Sequence, residues 1–148
     1  MTDDFTEFAN SYLTDLKSTL DNLPTTEIST LYSMVIDACN KGATVHFIGN
    51  GGSAATPSHS AGDWSKELGL KTISHSDNVS SFSAWANDEG YSQVFVGRLS
   101  TFADNGDLLI AYSGSGNSEN VINGLKYANE IGCKTVAITG NYNGMGGG

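Results

Sequence analysis

The sequence predicts an α/β fold built on a doubly wound parallel sheet, and three observations carry that expectation. Short runs rich in β-branched and aromatic residues alternate with stretches of helical period. Two loops of glycine and serine, Gly49-Asn50-Gly51-Gly52-Ser53 and Ser113-Gly114-Ser115-Gly116-Asn117-Ser118, each stand between such a run and a helix. Two further helices come before the first strand. Right-handed crossovers leave little for this alternation except parallel strands with helices on both faces.

The first helix is read from Phe5, Phe8, Ala9, Tyr12, Leu13, Leu16, Leu20 and Leu23, an amphipathic stripe ended by Pro24. The second carries Ile28, Leu31, Tyr32, Val35, Ile36 and Cys39 and stops near Gly42, where a left-handed C-cap costs little. Strands are expected at Thr44 to Ile48, Lys71 to Ser74, Leu108 to Tyr112 and Thr135 to Thr139. The helices between them are expected at Ala54 to Leu68, at Tyr91 to Phe102 with a short helical turn before it, and at Glu119 to Ile131. For the last of these Ser118 supplies an N-cap, Val121, Ile122, Leu125 and Ala128 an inner stripe, and Gly132 a stop. The chain then runs through glycine and asparagine from Gly140 to Gly148 with no covering helix, so the fourth strand is expected to be an uncovered edge.

Composition narrows the function. Sixteen acidic against seven basic residues give a net charge of -9, which opposes nucleic acid and anionic membrane surfaces. An anionic substrate must then be caught by local dipoles and hydroxyls. Cys39 and Cys133 lie in apolar contexts without metal spacing and read as buried free thiols. No basic leader and no long apolar run is present, which gives the expectation of a cytoplasmic protein. The whole chain is read as one domain, residues 1–43 forming N-terminal helices for oligomerisation and 44–148 the α/β core.

The two loops are the chemistry-bearing feature. A glycine-rich turn at a helix N-terminus offers amides and a dipole of roughly half a positive charge, enough to hold a phosphoryl group without lysine. In open α/β sheets ligands sit beyond the carboxyl ends of the strands, where both loops fall. Gly49-x-Gly51-x-x-Ala54 also satisfies a dinucleotide fingerprint, with Asp77 as a ribose-binding acid. That fingerprint usually opens a fold, however, and leaves the second loop without a role. A P-loop is weaker still, since no lysine follows Gly52. Either loop alone could be a tight turn that needs small residues.

His59 and Asp63, four apart on the helix after the first loop, share a face and could act as an acid/base or metal-ligating pair. The same spacing describes an ordinary exposed helix contact, and two ligands fall short of the three or four zinc uses. His46 reads as a core histidine, and His75 as nearer the pocket edge but without an evident partner. Asn87, Asp88, Gly90 and Tyr91 make a polar turn on the side of the loops, or simple N-capping. Trp64 and Trp85 read as packing residues.

Taken together, Gly49-Asn50-Gly51-Gly52-Ser53-Ala54-Ala55 with His59, Ala86-Asn87-Asp88-x-Gly90-Tyr91, Gly106-Asp107, Ser113-x-Ser115-Gly116-Asn117-Ser118 and Thr139-Gly140 resemble the SIS (sugar isomerase) domain family and, within it, the phosphoheptose isomerases. The resemblance implies a flavodoxin-like sheet, a homotetramer assisted by the N-terminal helix and an active site at a subunit interface. It implies isomerisation of sedoheptulose 7-phosphate to D-glycero-D-manno-heptose 7-phosphate through an enediol, for cell-surface polysaccharide. Ser53, Ser113, Ser115 and Ser118 would bind the sugar phosphate, with Asn50, Gly51 and Asp88 lining the pocket. His59 and Asp63 would be catalytic and would ligate zinc, Asp63 standing where the family has glutamate. The family's other ligands, a glutamine and a histidine, belong to a C-terminal helix that this sequence is expected to lack together with a last strand. A 148-residue form is therefore expected to bind a sugar phosphate weakly and to turn over little. The alternative is a non-catalytic SIS module that binds a sugar phosphate or serves as an oligomeric protein adaptor.

Overall fold

A computed structural model describes residues 2–140. The elements run α1 (Thr2–Asp21), α2 (Thr25–Lys41), β1 (Thr44–Gly49), α3 (Gly52–Leu68), β2 (Lys71–Ser74), α4 (Val79–Asp88), α5 (Val94–Phe102), β3 (Leu108–Ser113), α6 (Glu119–Glu130) and β4 (Lys134–Thr139), with one 3-10 turn at Tyr91–Gln93 before α5. All four strands are parallel, in the order β2-β1-β3-β4. The doubly wound sheet expected from the alternating pattern is the one found. The chain forms two units, Met1–Tyr32 and Ser33–Gly148, and the division falls inside α2.

The first unit is α1 and the opening turns of α2. Phe5, Phe8, Tyr12, Leu13, Leu16 and Leu20 follow the helical period of α1, and all are exposed.

In the second unit β1 is the centre of the sheet, and every residue from Val45 to Gly49 is buried. Because successive side chains alternate, Phe47 and Ile48 serve opposite layers. Phe47 meets the edge of Trp64 from α3, the ring centroids 5.2 Å apart. Ile48 joins Leu109 and Ala111 in a cluster with Val94, Phe95 and Leu99 of α5 and Val121 and Ala128 of α6. Helices therefore cover both faces. β4 is a sheet edge, with Ala137, Ile138 and Thr139 exposed. Gly42 and Gly132 follow α2 and α6 with φ of 63° and 89°, the left-handed conformation expected there.

Several expectations need correction. The stretch expected to hold only a helical turn before Tyr91 is a full helix, α4, capped where Asn78 Oδ1 accepts from the Ser81 amide at 3.0 Å. Its stripe is thin, and none of its residues is fully buried, so the period is faint in the sequence. Cys39 is exposed, and only Cys133 is buried. Burial pushes the Cys133 thiol up to about 11, with the nearby Asp107 and Asp104 charges adding to the shift. The expectation about the glycine-rich end from Asn141 to Gly148 lies outside the described residues.

His75 has a partner after all. Asp107 lies at the start of β3, where its carboxylate accepts from the amides of Thr44 (2.8 Å) and Asp104 (2.9 Å) and from His46 Nε2–H (3.1 Å). That proton on Nε2 leaves His46 Nδ1 bare, so it accepts from His75 Nε2–H at 3.0 Å. Burial pushes the His75 imidazole down to about 3, with His46 and Arg98 acting in the same direction. Burial likewise lowers His46, although Asp107 opposes it. The two rings stack, with centroids 5.2 Å apart, and both are fully buried.

Candidate functional site

The strand order decides where a ligand can sit. From β1 the chain passes to β2 on one side, then crosses over β1 to β3 on the other, so the order reverses between β1 and β3. The two Gly/Ser loops leave those two strands. Gly49, which opens the first loop, and Tyr112, the residue before the second, are register partners, and neighbouring strands lie about 4.8 Å apart. The loops therefore start side by side on one rim of the sheet.

The first loop turns sharply at Gly51, with φ 53° and ψ -122°, and α3 begins at the next residue. Ala54 and Ala55 amides bond to the Gly51 carbonyl at 2.9 and 3.3 Å. The amides of Gly52 and Ser53, at the head of the helix, have no acceptor one turn earlier within it. A Cβ on Gly49 would fall onto the Ser53 carbonyl oxygen and lie 2.8 Å from that of Tyr112. Only glycine lets the first turn of α3 cross the end of β1 so closely. Pro57 contributes to this arrangement, because it has no N–H to offer the Ser53 carbonyl four residues before it.

The second loop closes on itself. The Gly116 amide donates to Ser113 Oγ at 3.1 Å and the Asn117 amide to Ser115 Oγ at 3.2 Å. Gly140 N–H donates to the Gly114 carbonyl at 3.1 Å. Those two serine oxygens accept from the backbone, which leaves each hydroxyl hydrogen to donate elsewhere. The Gly116 and Asn117 amides are thus engaged within the loop, and the Ser113 and Ser115 hydroxyl hydrogens remain to meet a phosphoryl oxygen. Ser118 sits at the N-cap of α6, yet its side chain makes no capping hydrogen bond, contrary to expectation. Its hydroxyl is free of that duty.

One set of contacts ties the loops together. Asn50 Nδ2–H donates to Asn120 Oδ1 at 2.8 Å, and Asn120 Nδ2–H donates back to Asn50 Oδ1 at 2.8 Å. Tyr91 O–H also donates to Asn50 Oδ1, at 2.9 Å. This brings the polar turn after α4 to the same rim, as its composition suggested. Asp88, three residues before Tyr91, is exposed and accepts from Asn87 Nδ2–H at 2.7 Å. Asn120 was not singled out in the sequence; its place two residues after Ser118, at the opening of α6, was the available signal.

His59 Nε2 and Asp63 Oδ2 are 3.2 Å apart, so the spacing of four does pair them. His59 lies nearly two helical turns past Ser53, about 9 Å along the axis of α3, and Asp63 nearly three, about 15 Å. Pro57, Ala61 and Trp64 form the inward stripe of that helix, which puts His59 and Asp63 on the outward side. Their side chains are 82% and 57% exposed. Among the described residues no group of three or more His, Cys, Asp or Glu side chains is arranged to hold a metal ion. Two donors do not make a zinc site.

A sequence profile of the SIS domain matches residues 7–140. The chain belongs to the SIS domain family. This SIS chain is 40% identical over 116 residues to the phosphoheptose isomerase of Aliarcobacter butzleri, covering 75% of itself and 61% of that protein. It is 38% identical over 142 residues to a probable phosphoheptose isomerase of Thermoplasma acidophilum, covering 93% of itself and 78% of that protein. It spans 59% of the length of the related protein from Thermoplasma volcanium, so about three fifths of some relatives. Among solved structures, phosphoheptose isomerase GmhA from Neisseria gonorrhoeae superposes with a TM-score of 0.88 at 25% identity, over 97% of this chain and 78% of that one. A phosphoheptose isomerase from Francisella tularensis gives 0.81 at 27% identity, over 98% and 77%.

Proposed function

We propose that this SIS chain binds a phosphorylated sugar across its two loops and serves an aldose-ketose isomerase that converts sedoheptulose 7-phosphate to D-glycero-D-manno-heptose 7-phosphate. The single observation that carries the reading is that the loops leave register partners of adjacent strands at the switch point of the sheet. The names of its relatives supply the sugar.

In this reading the hydroxyls of Ser53, Ser113, Ser115 and Ser118 and the amides heading α3 hold the phosphoryl group, with no lysine required. Asn50 and Gly51 shape the first loop, and Asp88 orients sugar hydroxyls. Asp63 is the base that moves a proton between the first two carbons, and His59, hydrogen-bonded to it, steadies the carboxylate. The enediol would form between those carbons as the proton leaves one and returns to the other. His59 and Asp63 are also the side chains that would be offered toward zinc, and among the described residues these two fall short of the three or four donors that zinc uses.

The outward face of α3 fits a site completed by a second subunit, and the apolar face of α1 fits a cytoplasmic homo-oligomer, a tetramer by family resemblance. The exposure of His59 and Asp63 favours a second reading, a sugar-phosphate-binding module without turnover. Titration of sedoheptulose 7-phosphate, the dephosphorylated heptulose and inorganic phosphate by calorimetry tests the first half of the proposal. Binding that requires the phosphate is the expected result; equal binding of the free sugar would overturn it. Conversion of the ketose to the aldose, followed by chromatography, then separates enzyme from binding module.

A further inference from the structure

The two amides that join the loops are built as a closed pair. Asn120 is only 2% exposed, although it opens a helix on the rim of the sheet. Its Oδ1 accepts from Asn50 Nδ2–H and from the Val121 amide at 3.0 Å, while its Nδ2–H donates to Asn50 Oδ1. Asn50 Oδ1 takes a second donor from Tyr91 O–H. Each carboxamide oxygen thus has two donors. The buried Asn120 carboxamide would be left without its partner if Asn50 turned away, which favours the paired arrangement. The Tyr91 ring is fixed in turn against Phe82, centroids 5.9 Å apart, and Phe82 against Phe95 at 5.8 Å.

We propose that Asn120 is a positioning residue: through its reciprocal bonds to Asn50, and with Tyr91 as brace, it sets the distance between the two loops so that they close on one phosphoryl group as a unit. The inference rests on the sugar-phosphate reading of the loops. Neither carboxamide titrates, so the coupling holds across the pH range in which a phosphate ester changes charge. Asn50 accordingly acts through the shape of its loop, its side chain being engaged with Asn120 and Tyr91. Asn120 reaches no ligand itself and works through Asn50.

Amide hydrogen exchange on the whole chain, with and without sedoheptulose 7-phosphate, tests this. In Asn120→Ala the amides of Ala54 and Ala55, which bond to the Gly51 carbonyl, are expected to exchange about tenfold faster, while those in the middle of β3 and α6 keep their rates. Asn50→Ala should give the same increase, and the double variant no more than either alone, since one interaction is removed in each case. Bound sugar phosphate should slow both loops in the parent chain but only the second loop in Asn120→Ala. Tyr91→Phe, which removes one exposed hydroxyl, gives a milder acceleration and serves as the second variant if Asn120→Ala does not fold. Unchanged exchange at Ala54 and Ala55 in these variants, or additive effects in the double variant, overturns the role of Asn120. If the parent binds no sugar phosphate, the functional reading fails instead, and the ligand-free exchange rates still decide whether Asn120 holds the loop.

Discussion

At Gly49 the side chain is a single hydrogen because two carbonyl oxygens, of Ser53 and Tyr112, close over the end of β1. Gly49→Ala must push back either the first turn of α3 or β3, both of them backbone. The expected cost is about 1–3 kcal/mol in urea unfolding, together with loss of sugar-phosphate binding. A variant as stable as the parent would show that α3 can move away from the strand. Ser118 makes the opposite case. A capping serine costs about 1 kcal/mol when replaced by alanine, but this one caps nothing. Ser118→Ala should therefore leave the unfolding midpoint nearly unchanged and weaken sugar-phosphate binding; a large drop in stability with intact binding would reverse its assignment from ligand to cap.

The buried histidines give a pH signature with a definite sign. Folded His75 and His46 resist protonation, whereas the unfolded imidazole takes a proton near its ordinary value of 6.5. The unfolded state binds more protons below that point, so stability is fully present above about pH 6.5 and declines as the pH falls toward about 3, the folded value for His75. Asp107 adds to the acid side: burial opposes its ionisation, but the Asp104 amide, His46 and the Thr44 amide outweigh it and hold the carboxyl below the ordinary range. Urea midpoints measured from pH 8 to 4 should fall, and His75→Gln should flatten the upper part of that decline. An unaltered slope in His75→Gln would mean that the imidazole is not the group taking up the proton. None of this was visible in the chain, because His46 and His75 are 29 positions apart and His46 and Asp107 61 apart. Only the pairing of β1 with both its neighbours brings them together.

Among the elements, those with a strong stripe could be read directly. The strand at Lys71–Ser74 has its expected limits, and α6 ends within one residue of its expected end because Val121, Leu125 and Ala128 mark its inner face and Gly132 its stop. α4 was hidden by its serines. Phe82, Trp85 and Ala86 pack against the cluster under α5 and α6, but three serines and an asparagine fill much of the rest, and serine in a helix competes for its own backbone. The cap at Asn78 was the legible sign. Asp107 shows the reverse relation, one residue that organises several elements by accepting from the start of β1, from the turn after α5 and from His46. Asp107→Ala strips three donors of their acceptor, and a loss of about 3 kcal/mol is expected by urea unfolding. A loss under about 1 kcal/mol would mean that water replaces the carboxylate.

On the scale of the whole molecule, the site was legible as far as chain order allows. Each loop announced itself by glycine and serine between a strand and a helix, and topology then put the loops on one rim. The Asn50–Asn120 bridge spans 70 positions and could come only from the fold. The outward aim of His59 and Asp63 was also beyond the spacing, since a separation of four fixes a shared face but not the direction it looks. The exposed stripe of α1 bears on assembly. Phe8→Ser with Tyr12→Ser should lower the sedimenting mass if that stripe joins copies of the chain, and an unchanged mass would remove α1 from the interface.

The contrast between the two cysteines has a practical result. A thiolate is what attacks a thiol reagent, and Cys133, buried and lifted to about 11, scarcely forms one at neutral pH, whereas Cys39 stands open on α2. A maleimide dye should consequently attach to the native chain at one address, with no engineered handle, and uptake of a second equivalent would register the moment the sheet comes apart.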